Sequence, residues 1–171
     1  MKQLIKLVPV SLTHLYYIMN WINDPNVRQN FTAFTGTTTE DEEKAFLEKL
    51  VLSKTDRVFS VFDEMSKVYI GQVGINQIYA PAKVGRLSII IVNDQQGKGY
   101  GKAALAAIIN YAFRELKLNK LWLVFLEENN RARELYKKFA FKKEGLLEDE
   151  YIVNGKFHNM ERMRLFAREY L

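Results

Sequence analysis

The stretch QQGKGYGK, Gln95 to Lys102, decides how the rest of the chain is read. An apolar run, Leu87 to Val92, precedes it, and a segment whose apolar residues recur every three to four positions follows. The implied order is strand, tight turn, helix. Gly97, Gly99 and Gly101 strip side chains from alternate positions, so the backbone N–H groups of the turn can converge on an anion. The helix start behind it adds unpaired donors and partial positive charge. The turn reads as a pyrophosphate cradle, or more plainly as turn punctuation. A Walker A loop is excluded because Ala103 follows Gly101-Lys102. A dinucleotide fingerprint fits poorly, since the glycines run G-x-G-x-G in mid-chain with no acid at the required distance.

Outward from the turn, strands and helices alternate. Leu4 to Val10 predicts a strand, and Ser11 or Thr13 can cap a helix running to about Trp21. Asn23-Asp24-Pro25 breaks that helix. A second helix starts near Glu40, where Thr39 and Glu42 form a capping box and Phe46, Leu47 and Leu50 supply an apolar face. Val58 to Asp63, Tyr69 to Ile78 and Arg86 to Val92 predict strands, the last with the apolar character of a strand buried on both faces. The helix after the turn runs from Lys102 to about Lys117. Leu121 to Leu126 predicts a strand and Asn129 to Phe139 a helix. Asn154-Gly155 joins Glu148–Val153 to Lys156–Phe166 as a hairpin. The expected class is α+β, a single domain over residues 1–171 with a C-terminal β-hairpin.

Composition narrows the function. With 171 residues, 48% hydrophobic and 13% aromatic, the chain can bury a core. It has no cysteine, which excludes disulfides, thiolate metal sites and a cysteine nucleophile. His14 and His158 stand alone and read as surface or packing residues, so no metal is expected. The net charge of +5 is spread without a dense basic tract, and nucleic acid is not an expected partner. No secretory signal or apolar span is evident at the start, and a cytoplasmic, non-membrane protein is the expectation.

Two further motifs identify a family resemblance. Gln96-x-x-Gly99-x-Gly101 resembles the acetyl-CoA signature of the GCN5-related N-acetyltransferases (GNAT), and ENNRARELYKKFAF, Glu128 to Phe141, resembles that family's second motif. From about Ile70 to Leu171, with Trp21 to Pro25, the likeness is to its spermidine acetyltransferase-like and ribosomal-protein acetyltransferase-like branch. Ala140 departs from the pattern, which has glycine before Phe141.

The resemblance implies a mixed, mostly antiparallel sheet splayed between the strands ending near Val92 and Leu126. Acetyl-CoA would lie in that splay. Backbone groups of Ile89, Ile90 and Ile91 would bond its pantetheine. The N–H groups of Gln96, Gly97, Lys98, Gly99, Tyr100, Gly101 and Lys102 would hold its pyrophosphate. Asn129 would reach the pantetheine arm, although a helix N-cap suits it equally. Tyr136 would protonate the departing thiolate, its alternative being an aromatic on the buried face beside Leu135 and Phe139. A neutral amine would attack the thioester carbonyl, with an N–H near Ile91 or Val92 stabilising the oxyanion. Glu127 and Glu128 are candidate proton acceptors or simply solvated loop acids.

The acceptor is expected to be a primary amine: a protein N-terminus, an amino sugar or another small amine. A polyamine is the alternative, as is a non-catalytic CoA-binding module. Polyamine acetylases of this type carry acids at positions that correspond here to Phe31–Phe34, Gly74 and Gln77, none of them acidic. Glu40-Asp41-Glu42-Glu43 could compensate, yet acids in a first helical turn are also explained by the helix dipole. A homo-oligomer is compatible with the terminal hairpin.

Overall fold

The computed structural model describes residues 4–29 and 36–171. Seven strands form one sheet in the order β1-β2-β3-β4-β5-β7-β6. They are β1 Ile5–Pro9, β2 Arg57–Asp63, β3 Tyr69–Tyr79, β4 Val84–Ile91, β5 Lys120–Leu126, β6 Lys142–Val153 and β7 Lys156–Phe166. All neighbours are antiparallel except β4 and β5. The α+β expectation is met.

Among the described residues six α-helices flank the sheet: α1 Leu15–Ile22, α2 Pro25–Arg28, α3 Glu40–Val51, α4 Tyr100–Asn110, α5 Asn130–Lys137 and α6 Ala167–Tyr170. One core lies under α4 and joins Ile70, Leu87, Leu105, Ile109 and Leu123. The second lies on the other face, where Ile18, Trp21, Leu47, Tyr69 and Ile90 meet.

Local chemistry explains most boundaries. The Thr39–Glu42 capping box forms in both directions, with Oγ1 accepting from Glu42 N at 3.2 Å and Glu42 Oε2 from Thr39 N at 2.8 Å. Asp24 caps α2, a helix not expected after the Asn23–Pro25 break. Neither Ser11 nor Thr13 caps backbone; the two hydroxyls bond each other at 2.6 Å, and a 3-10 turn precedes α1. The helix after the glycine turn starts at Tyr100 and ends in a π-helical turn, Tyr111–Glu115. Phe46 is 56% exposed rather than core, while Glu43 takes its place on the buried face. Ala140 does adopt the positive φ of 65° that glycine would favour.

The splay is built at β4. This strand pairs with β5 only through Val84, Gly85 and Arg86, so from Leu87 onward the two parallel strands part. Gly71 on β3 fixes the other side. Its φ is 153°, and a Cβ there would sit 2.0 Å from the Ile90 carbonyl oxygen. Only glycine lets β3 approach β4 so closely at this point.

Candidate active site

The gap between β4 and β5 opens into a cavity of about 740 Å³ that reaches across the sheet to α1 and α3. Backbone alternation decides which groups face the gap. Val92 N donates to Ile70 O at 3.0 Å, which makes Ile91–Gly71 a non-hydrogen-bonded pair. The backbone groups of Ile89 and Ile91 therefore turn towards the open side, and those of Ile90 towards β3. Val92 N–H is committed to β3 and is no oxyanion donor. Ile91 N–H keeps that possibility.

At the cleft end of β4 the glycine turn supplies donors. The first helical bond of α4 is from Ala103 N to Gly99 O at 3.2 Å, so the N–H groups from Gly97 to Lys102 precede the helical ladder. Gln96 differs: its N–H already donates to Asn93 O at 3.3 Å. Its side chain instead ties the turn to the strand, Nε2 donating to Ile91 O at 3.0 Å. The Tyr100 side chain points away from the cradle into the core and donates to Asp63 Oδ2 at 2.9 Å. Lys98 and Lys102 are exposed, and Lys98 Nζ donates to Gln95 Oε1 at 3.2 Å.

Gly101 tests whether the cleft suits a bound cofactor. A Cβ there would meet only Ile91 Cγ1 at 3.8 Å and Leu135 Cδ2 at 3.9 Å, both belonging to cavity walls. The protein itself does not require glycine at this position; the space belongs to the cleft. Together with the row of N–H groups ahead of the helical ladder, this fits a pyrophosphate with a slender arm running along β4.

Asn129 and Tyr136 complete this half. Asn129 caps α5, its Oδ1 accepting from Ala132 N at 3.1 Å, and it also lines the cavity. Tyr136 is nearly buried between Phe125 and Phe141, ring centroids 5.5 and 5.8 Å away. Its hydroxyl has no hydrogen-bond partner among the described residues, yet it is not sealed in: it opens on the cavity. Burial pushes this phenol up to about 12, so it holds its proton. Glu127 and Glu128 are not cavity walls. Asn159 Nδ2 donates to Glu127 Oε2 at 2.9 Å, and Glu128 pairs with His158.

Across the sheet the cavity meets one member of the acidic cluster, Glu43, and two side chains without a sequence signal, Asp56 and Arg86. Glu43 is 5% exposed in the wall that Trp21, Val27 and Leu50 also line, and its side chain makes no hydrogen bond or ion pair among the described residues. Burial raises its carboxyl to about 7. The signal was present: Glu43 and Leu47 stand four residues apart, on one helix face. Asp56 lies farther along the wall. Burial would raise its pKa, but bonds from Ser53, Asn76, Gln77 N and Thr55 outweigh that and hold it low. Arg86 faces the same space, half-buried, its guanidinium 5.6 Å from the Trp122 ring centroid. Phe31–Phe34 lie outside the described residues. Gly74 is crowded, since a Cβ there would meet Val58 Cγ2 at 2.9 Å.

Residues 5–142 match the acetyltransferase (GNAT) domain family. The chain belongs to this family. The GNAT fold explains the splay, the glycine turn and the cavity together, and the protein is an acetyl-CoA-dependent N-acetyltransferase. Among its relatives is the spermidine N(1)-acetyltransferase of Escherichia coli K12, 30% identical over 98% of this chain and 88% of the relative. The [ribosomal protein uS5]-alanine N-acetyltransferase of the same strain is 28% identical over 59% of this chain and 53% of its own. The crystal structure of spermidine N-acetyltransferase from Vibrio cholerae with CoA and spermine superposes at a TM-score of 0.92, with 28% identity over 97% of each chain. A dodecameric structure of the Vibrio enzyme also matches, with a TM-score of 0.87 at 27% identity over 98% of this chain and 96% of that one. Among the described residues of this GNAT chain, no cluster of His, Asp or Glu could hold a metal. No helix among them is long and apolar enough to cross a membrane.

Proposed function

We propose that this chain acetylates a primary amine seated at the Glu43 end of the cavity. The observation that carries the reading is the Glu43 carboxylate, buried in an apolar wall of the cavity that Tyr136 enters from the other side. Acetyl-CoA supplies the acetyl thioester. Ile89 and Ile91 offer backbone groups to the pantetheine, the N–H groups from Gly97 to Lys102 hold the pyrophosphate, and Asn129 reaches the arm. Tyr136 keeps a proton at its hydroxyl for the leaving sulfur.

An alkylamine must lose a proton before it can attack, which costs about 4 kcal/mol at pH 7 for a pKa near 10. A carboxylate titrating at about 7 in this wall attracts the ammonium and can take that proton. Relatives acting on spermidine support a second reading, a polyamine acceptor. Asp56 also favours it, by placing a carboxylate beside Gln77, one of the positions at which polyamine acetylases of this type carry acids. The reading includes self-association, with Ile152 and Phe157 exposed on the terminal hairpin.

The test is product formation from acetyl-CoA with an amino sugar, a peptide with a free N-terminus, and spermidine. Tyr136→Phe should lower kcat by about 10²–10⁴-fold while acetyl-CoA affinity stays within about twofold. An unchanged kcat would remove Tyr136 as the acid. Binding of acetyl-CoA without transfer to any amine would leave a CoA-binding module.

A further inference from the structure

We infer that Arg86 selects an acceptor that carries an oxyanion, a carboxylate or a phosphate, in addition to its amine. This rests on the amine-transfer reading above and names the class of amine.

Arg86 stands out by what it lacks. Arg162 has Glu144 at 2.8 Å, Arg133 has Glu161 at 3.1 Å, and Arg164 pairs with Glu169. No carboxylate lies within ion-pair distance of Arg86 among the described residues, although the side chain is half-buried and faces the cavity. A guanidinium cannot shed its proton to escape burial. Burial weakens its hold on that proton, and the one aromatic contact, 5.6 Å to Trp122, is long. The charge is therefore desolvated without an internal counter-ion.

The acids in the same cavity do not supply one. Asp56 spends both oxygens on Ser53, Thr55, Asn76 and Gln77. Asn76, the cross-strand partner of Arg86, donates its amide to Asp56 and accepts from Ser88 Oγ at 2.7 Å. That network closes on itself and leaves Arg86, which also lines the cleft, outside it. Glu43 is on α3 and makes no ion pair. The acceptor space thus presents an acid able to take an ammonium and a separate fixed cation. An amine bearing an oxyanion satisfies both, since a guanidinium meets carboxylate or phosphate with two parallel bonds. A polycation satisfies the acid and is repelled by Arg86.

The experiment compares matched acceptors with the intact protein and acetyl-CoA. One arm sets alanine against alanine amide, and the other glucosamine 6-phosphate against glucosamine, with spermidine alongside. The expected result is a kcat/KM ratio of about 100-fold in favour of the anionic member of one pair, which also decides between carboxylate and phosphate. Arg86→Gln should collapse that ratio towards one, and Arg86→Lys should restore part of it. Titration calorimetry of the CoA-loaded protein with the same acceptors gives a readout independent of turnover.

Arg86-dependent binding of an anionic amine without transfer would sink the amine-transfer reading and keep the anion site. Turnover with ratios near one in both arms, or a ratio that Arg86→Gln leaves intact, would overturn the role of Arg86 and keep the transferase reading. Spermidine outrunning both anionic acceptors would also overturn it. Neither binding nor turnover of any acceptor would overturn both.

Discussion

The two halves of the cleft are encoded in opposite ways. The cofactor half is contiguous along the chain and built of backbone: the edge of β4, the turn behind it and the start of α4, followed at one remove by α5. The acceptor half is assembled from side chains on α1, α2, α3, β3, β4 and the entry to β2, drawn from Trp21 to Ser88. Backbone recognition constrains residue type at fixed spacing, because only glycine leaves the N–H groups bare. Side-chain recognition needs only that single residues arrive at one place. A shared cosubstrate can thus leave a signature in sequence where a particular acceptor leaves none.

After Tyr136→Phe, the largest effect is expected from Glu43→Gln, which attacks the half without a signature. If Glu43 takes the proton of the ammonium, kcat/KM of the parent rises with pH through about 7. The variant should lose that limb and fall about 100-fold at pH 8. Stability moves the other way. Burial lifts the carboxyl from 4.5 to about 7, so folding favours the protonated form. The stability linked to this group is fully present below about pH 4.5 and is lost as pH rises through about 7. Glu43→Gln should therefore be more stable than the parent at pH 8, by at most ~3 kcal/mol, and equal to it near pH 4. Denaturant titrations at the two pH values check this; a variant both slower and less stable at pH 8 would mean that Glu43 has a polar partner.

Gly101→Leu probes the half with the signature and should have a smaller effect. The first carbon of the new side chain meets only ordinary contacts at 3.8 and 3.9 Å, so the fold accepts it. The rest of the side chain extends between Ile91 and Leu135 into the cleft. Acetyl-CoA affinity should fall by about 10–100-fold while the Tm stays within about 2 °C. A loss of Tm with affinity intact would move the cofactor away from Gly101.

Legibility follows the same division. The strand–turn–helix unit, the capping box at Thr39, the Asn154-Gly155 hairpin and the α+β class were readable, because each depends on local chemistry. The short α2 was not, since it rests on the Asp24 cap and on the packing of Val27 rather than on a periodic apolar face. Backbone alternation could not be read either: β4 ends in three consecutive isoleucines, and the pairing with β3 is what separates Ile89 and Ile91 from Ile90. The donor of Gln96 was misplaced for a similar reason, its N–H being consumed by a turn to Asn93. Glu43 was visible as one of four acids open to two readings, a substrate carboxylate or a partner of the helix dipole. Its burial depends on Trp21 and the sheet beneath, which lie far away in sequence.

The smallest effect, Thr39→Ala, asks how firmly the acceptor half is held by local structure. Thr39 and Glu42 satisfy each other's backbone N–H at the first turn of α3, one residue before Glu43. Removing the hydroxyl leaves the Glu42 N–H to water and should cost about 1 kcal/mol, or about 2–4 °C in Tm for a chain of this size. Leu47, fully buried one turn further on, anchors α3 independently of its cap. Glu43 should then stay in the wall, and kcat/KM should change by less than about twofold. A large loss of activity with that small loss of stability would show that the position of Glu43 is set by the helix start. In that case the acceptor half would also have a local determinant, and the Thr39-x-x-Glu42-Glu43 stretch would be its signature.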